Sequence, residues 1–156
     1  MELTDVLSAG RLGLDTCLFI YLIEEHETFL PIVEPIFAAI DGGRITAVTS
    51  AITLLETLVV PYRAKDELLA ARYEAVLARS RGLEMVDVDR RCLREAAQLR
   101  ARHRIAAPDA IQLAAAIGRR CPVFVTNDRA LPVLENITVV QLRDLVPRRP
   151  SRRQPR

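Results

Sequence analysis

Short apolar runs alternate along this chain with longer stretches of helical period, and that alternation leaves few folds open. The run RLGL stops at Asp15, and the apolar CLFIYLI that follows has the length of a helix. Ile32, Val33, Ile36, Phe37 and Ile40 then recur at helical spacing over Pro31–Ile40, and Gly42-Gly43 offers the left-handed exit that helices favour. Arg44–Thr49 is rich in β-branched residues and predicts a strand, after which Ser50 opens a helix that Pro61 closes. Ala64–Arg81 is charged and Ala/Leu-rich; it predicts an amphipathic helix with Leu68, Leu69, Tyr73, Val76 and Leu77 inward, ended by Gly82.

A strand at Leu83–Val88 and a helix over Arg90–His103 come next, the latter with Leu93, Ala96, Ala97 and Leu99 on its core side. Pro108-Asp109 begins a helix that runs to Ile117. Pro122–Thr126 is an apolar strand halted by Asn127-Asp128, RALPVL a turn or short helix, and Ile137–Leu142 the last strand. Strands in regular alternation with helices predict an α/β fold, a three-layer α/β/α arrangement around a mainly parallel central sheet. Ligands of such sheets bind beyond the strand C-termini.

The 156 residues, 50% of them hydrophobic, suffice for one domain with a real core, placed at residues 1–147. Residues 148–156 form an Arg/Pro-rich tail with no apolar face to pack, expected to be disordered. Five of the 22 basic residues lie in that tail, so residues 1–147 carry 17 bases against 20 acids and the body is acidic. Cys17, Cys92 and Cys121 are scattered and odd in number, with no CxxC pair and no His cluster; they point to a reducing compartment and away from a zinc site. The acidic N-terminus lacks a secretory pattern, and no apolar run approaches the roughly 18 residues a membrane span needs. A cytoplasmic protein with no membrane association is expected.

Three carboxylates fall where this architecture opens a shared crevice: Asp15 after the first strand, Asp128 after PVFVT, and Asp109 at a helix start. Glu56 joins them from the helix TLLETLVV. Two like charges about 4 Å apart repel by roughly 4 kcal/mol at an effective dielectric of 20, so a cation must sit between such acids. Magnesium or manganese suits an all-oxygen donor set. Each acid also has a plainer reading. Asp15 fits a turn after its strand or a pair with a base, Asp109 with Gln112 fits a helix capping arrangement, Asp128 fits a turn or a cap, and Glu56 fits the solvated polar face of its helix. His26 and His103 are isolated and read as surface groups, and Cys17 reads as a buried apolar side chain.

Taken in order, LDTCLFIYLIE, TLLETLVVP, APDAIQLAAAI and VFVTNDRAL resemble the PIN domain family of metal-dependent ribonucleases, in particular the VapC-like toxins of toxin–antitoxin pairs. The likeness spans about Leu12 to Leu145. It implies that Asp15, Glu56, Asp109 and Asp128 hold one or two Mg²⁺ or Mn²⁺ ions and carry catalysis, with Thr16 and Thr126 in support. It further implies an RNA substrate, a homodimer, and a cognate antitoxin that obstructs the acidic crevice. Because the body is acidic, phosphate contacts need local positive charge, for which Arg104 and Arg129 are candidates beside Asp109 and Asp128. Arginines so placed also occur as solvated surface groups.

Two other outcomes stay open: a PIN-fold RNA-processing nuclease outside toxin–antitoxin systems, and a catalytically idle PIN-fold binding module. Receiver domains and aspartyl phosphatases are disfavoured, because the only lysine, Lys65, stands at the start of a long helix rather than after a late strand. Nucleotide-binding enzymes are disfavoured as well, since neither GxGxxG nor GxxxxGK[ST] occurs.

Overall fold

All five apolar runs pair into one sheet. The computed structural model describes residues 1–147, so the tail at 148–156 lies outside the described residues. Within them β1 (Arg11–Leu14), β2 (Thr46–Ser50), β3 (Leu83–Val86), β4 (Val123–Thr126) and β5 (Thr138–Gln141) are parallel throughout, in the order β3-β2-β1-β4-β5. The helices are α1 (Leu3–Leu7), α2 (Thr16–Ile23), α3 (Leu30–Asp41), α4 (Ile52–Ala64), α5 (Glu67–Arg79), α6 (Arg90–Arg102) and α7 (Ala107–Gly118). A 3₁₀ turn, Leu142–Leu145, closes the described chain.

Alternation along the strands creates two cores. Leu12, Leu14, Ala47, Val123, Val125 and Val140 face one side and pack with Val6, Leu18, Phe19, Ile36 and Ile40 of α1, α2 and α3. Val48, Val86 and Phe124 face the other side and meet Ala96, Leu113 and Ala116 of α6 and α7. The result is the three-layer α/β/α sandwich. A smaller cluster of Ile23, Leu58, Ala70 and Tyr73 joins α2, α4 and α5. No helix among the described residues is long and apolar enough to cross a membrane.

One glycine sets how closely α7 approaches the sheet. A Cβ at Gly13 would stand 2.6 Å from Ala116 Cβ and 2.7 Å from the Phe124 ring, so only glycine lets α7 lie directly over β1. That closeness carries Asp109, at the start of α7, toward the end of β1.

Several local expectations are corrected. Pro61 does not close α4. It lies inside the last turn, and the helix ends at Lys65, whose φ of +53° is left-handed; Lys65 N donates to Tyr62 O at 3.1 Å and Asp66 N to Pro61 O at 2.9 Å. Gly82 does not end α5, which stops at Arg79; instead it passes so close to Ile40 that a Cβ would come within 2.7 Å of the Ile40 carbonyl. Leu68 is 75% exposed, because α5, which starts after its Asp66 cap, packs through the Ala70, Tyr73 and Leu77 stripe instead. On α6 the small residues Cys92 and Ala96 face the alanines of α7, while Leu93 and Ala97 are exposed. Of the glycine pair after α3, Gly43 carries the left-handed turn, and the RALPVL segment forms no helix.

Candidate active site

The chain leaves β1 toward β2 on one side and later returns as β4 on the other, which opens a crevice at the C-terminal end of these two strands. Asp15 is the first residue beyond β1, and its N–H continues the ladder by donating to Val125 O at 3.0 Å. Leu14 is in register with Val125, so the next residues, Asp15 and Thr126, stand side by side. Thr126 Oγ1 donates to Asp15 Oδ2 at 2.6 Å and accepts from the Asp128 N–H at 3.0 Å. One buried hydroxyl thus ties two of the acids together. The other oxygen of Asp15 accepts from Thr16 N at 2.7 Å, which makes Asp15 the cap of α2.

Glu56 reaches the same crevice from α4. Thr16 Oγ1 donates to its carboxylate at 2.8 Å. The solvated-face reading of Glu56 fails, because α4 buries its threonines beside Leu58 and Pro61: Thr53 and Thr57 are buried and Glu56 half-buried, while Leu55 is 64% and Tyr62 59% exposed. The helix lies over a polar floor, and its polar side faces that floor.

At the centre of the floor is Gln112, and it takes no part in the cap that its spacing from Asp109 allows. Ala106 occupies the cap position of α7 and no side chain caps it. Gln112 instead lies one turn further along, 2% exposed, with its amide fully engaged. Its Nε2 donates to Thr53 Oγ1 at 2.7 Å and Thr16 Oγ1 at 3.1 Å, and its Oε1 accepts from Ser50 N at 3.0 Å and Thr49 Oγ1 at 3.3 Å. Because Gln112 gives a proton to Thr16, the Thr16 hydroxyl is left to direct its own at Glu56. Asp109, freed from capping, sits half-buried on the first turn of α7. Asp128 is exposed and also makes a turn of the expected kind, its Oδ1 accepting from Ala130 N at 2.8 Å.

The four acids feel one another. Burial pushes the Asp109 carboxyl up to about 6, helped by the charges of Asp15, Asp128 and Glu56. Burial also raises Asp15, against hydrogen bonds from Thr126 and the Thr16 backbone that lower it, with Asp128 raising it further. Glu56 is raised by burial and by Asp15, and lowered in part by the Thr16 hydroxyl. Among the described residues no three His, Cys, Asp or Glu side chains form a ready-made cage for an ion. The pocket is therefore an open acid cluster whose members are near enough to repel without enclosing a fixed point. Its donors suit a hard divalent cation, being carboxylate oxygens with hydroxyls behind them. Cys17, the nearest soft atom in sequence, is pushed up by burial and by Asp15, which keeps it a neutral thiol and a poor metal ligand.

This electrostatics has a measurable sign. The folded chain holds the Asp109 proton more tightly than the unfolded chain, so the associated stability is present below about pH 4 and is lost as pH rises through about 6. Metal-free protein is expected to melt at a lower temperature at pH 7.5 than at pH 5, and Asp109→Asn to shrink that difference. Thermal denaturation of both proteins in chelator checks it; an undiminished difference in the variant contradicts it.

Arg104 lies exposed in the connection between α6 and α7, and Arg129 lies exposed directly after Asp128. Among the described residues neither guanidinium has a hydrogen-bond or ion-pair partner, and the ion pairs found there are Arg91–Glu95 and Arg119–Glu84. His26 is exposed and packs edge-on against Tyr21 and tilted against Phe29, away from any catalytic pairing.

A family model described as PIN domain matches residues 13–136. Among solved structures the chain is similar to VapBC2 from Rickettsia felis bound to a DNA fragment from its promoter, with TM-score 0.66 and 20% identity over 84% of this chain and 98% of that one. A toxin–antitoxin complex from Klebsiella pneumoniae gives TM-score 0.61 and 19% identity, covering 85% of this chain and 97% of that one. DNA-bound VapBC from Salmonella typhimurium gives 0.59 and 24%, covering 85% and 98%. At these identities the likeness is one of fold. No curated protein matches the chain by sequence.

Proposed function

The chain belongs to the PIN domain family, and from that premise we propose that it is a metal-dependent endoribonuclease and the toxin of a toxin–antitoxin pair. The observation that carries this reading is the cluster of four carboxylates from four separate segments at the sheet's switch point, where burial first, and then the charges of Asp15, Asp128 and Glu56, push the Asp109 carboxyl up to about 6. Asp15, Glu56, Asp109 and Asp128 would hold Mg²⁺ or Mn²⁺. When bound, such an ion supplies Lewis-acid chemistry, polarising a phosphoryl oxygen and acidifying a water. Asp109 or Asp128, whichever is not fully engaged with the ion, accepts the proton of the attacking water. Thr126 orients Asp15, and Thr16 orients Glu56. Arg104 and Arg129 take phosphate oxygens of the RNA and offset the negative field of the acids.

Partners are supported by surface chemistry and by likeness. The outward face of α4 presents Leu55, Val59, Val60 and Tyr62 to solvent, beside a groove of about 480 Å³ lined by Leu54, Leu55, Leu58, Val59, Tyr62 and Arg63. Exposed apolar surface of this kind marks protein contacts. An antitoxin and a second copy of the chain are the partners proposed, in keeping with the toxin–antitoxin complexes whose fold it shares.

The test is to incubate the purified chain with a panel of structured RNAs in Mg²⁺, in Mn²⁺ and in chelator. Cleavage that needs the metal is expected. Intact RNA under every condition, or cleavage that persists in chelator, overturns the enzymatic reading; RNA bound but uncut marks the idle binding module. Growth arrest on expression, relieved by a small protein encoded alongside, separates the toxin from an RNA-processing nuclease.

A further inference from the structure

Asp128 is the one acid of the four that stands on a loop. Asp15 caps a helix, and Glu56 and Asp109 lie within helices, whereas the segment from Asn127 to Ile137 has no helix or strand. Loops wander unless something outside them holds their backbone. Here two hydrogen bonds from distant side chains reach the loop backbone, two more reach the Asn127 side chain, and Asn127 donates a fifth outward. Arg143, on the 3₁₀ turn after β5, donates from Nε to Asn127 Oδ1 at 3.0 Å, from Nη2 to Asn127 O at 2.6 Å, and from its backbone N–H to Asn127 Oδ1 at 3.3 Å. Gln141 Nε2 donates to Asp128 O at 2.7 Å. Asn127 Nδ2 donates in turn to Tyr21 Oη at 3.2 Å.

Two details show that these bonds matter to the turn itself. The Arg143 guanidinium grips neutral oxygens, and among the described residues it has no carboxylate partner, so it acts here as a planar fork rather than as half of an ion pair. Gln141 Oε1 is buried with no hydrogen-bond partner among the described residues, which costs free energy; the bond made by the nitrogen is what this amide contributes.

We propose that Arg143 and Gln141 form a clamp that fixes the Asn127-Asp128 turn, making Arg143 a positioning residue for the cation site. The inference rests on the proposed function in that the positioned carboxylate belongs to a metal site. Electrostatics and positioning predict opposite signs for its removal. A positive charge near an acid pocket repels a cation, so losing it for charge reasons alone would tighten metal binding. Losing the clamp loosens it.

The experiment measures Mn²⁺ affinity by calorimetry and amide hydrogen exchange at Asp128 and Ala130, in the parent, Arg143→Ala, Arg143→Lys and Gln141→Leu. Arg143→Ala is expected to weaken Mn²⁺ binding about 10-fold, as loss of an outer-sphere partner does. It should also speed exchange at these two amides while core amides of β1 and β4 keep their protection. Arg143→Lys keeps the charge without the fork and should behave like Arg143→Ala. Gln141→Leu loses one bond and should show a smaller change of the same sign; it stands in for Arg143→Ala should that variant fail to fold. Parent-like or tighter Mn²⁺ binding with unchanged exchange overturns the clamp, as does full recovery by lysine. A parent that takes up no Mn²⁺ overturns the metal reading, and the exchange rates then decide the clamp alone.

Discussion

Asp15→Asn is expected to lower metal-dependent RNA cleavage by at least about 10²-fold, beyond the 10- to 100-fold typical of outer partners of a metal site, without lowering the stability of the metal-free protein. The two halves follow from the same geometry. Asp15 is where β1 and β4 part, bound to Thr126 on one oxygen and to the α2 backbone on the other. An asparagine keeps an acceptor and its shape but removes a charge that burial and Asp128 both oppose. The metal-free variant should therefore melt at the same temperature as the parent or higher, while the proposed cation site loses one of its four carboxylates. Activity that falls together with stability would indicate simple misfolding, and activity that survives would remove Asp15 from the site. Cleavage rates in Mn²⁺ and melting curves in chelator, on the same preparations, decide between them.

The second large effect is on stability. Gln112→Met preserves volume but deprives the Ser50 N–H of its acceptor and the Thr16 and Thr53 hydroxyls of their donor. The threonines are 3.3 Å apart and can turn toward each other, whereas a backbone N–H cannot move away from its empty place. With about 1–3 kcal/mol for each buried group left unpaired, a loss of about 3 kcal/mol is expected. In a chain of this length that corresponds to roughly 6–12 °C in Tm. Urea unfolding of parent and variant measures it. A change under about 1 kcal/mol would mean that the polar floor repairs itself and Gln112 is not its keystone.

The ends of strands were the most legible part of the site. Asp15 and Asp128 both follow apolar runs, and a parallel sheet with helices between its strands leaves such positions only one place to go, the C-terminal crevice. Glu56 was ambiguous for a physical reason: α4 buries Leu58 against α2 and α5 and also Thr53 and Thr57 over a polar floor, a division the rule that apolar faces turn inward does not give, and Leu55 and Tyr62 face solvent. Gln112 was misread because an acid three residues before a glutamine at a helix start has the spacing of a cap, and only the packing of α7 on β1 and β2 turns that glutamine inward. Asn127, Gln141 and Arg143 carry no local signature, since their bonds join segments 13 and 16 residues apart. Helix ends went astray where one residue type serves two purposes, as with Pro61 inside α4 and Gly82 pressed against Ile40.

Everything in the functional account depends on repulsion within the acid cluster being relieved by a bound divalent cation. The most direct test is the melting temperature of the parent with and without millimolar Mn²⁺, beside a variant carrying both Asp15→Asn and Asp109→Asn. Binding to the folded chain alone stabilises by about 2.7 kcal/mol when the ion is at 100 times its dissociation constant. The account predicts a clear rise in the parent that is abolished in the double variant. An equal rise in both, or none in the parent, contradicts it.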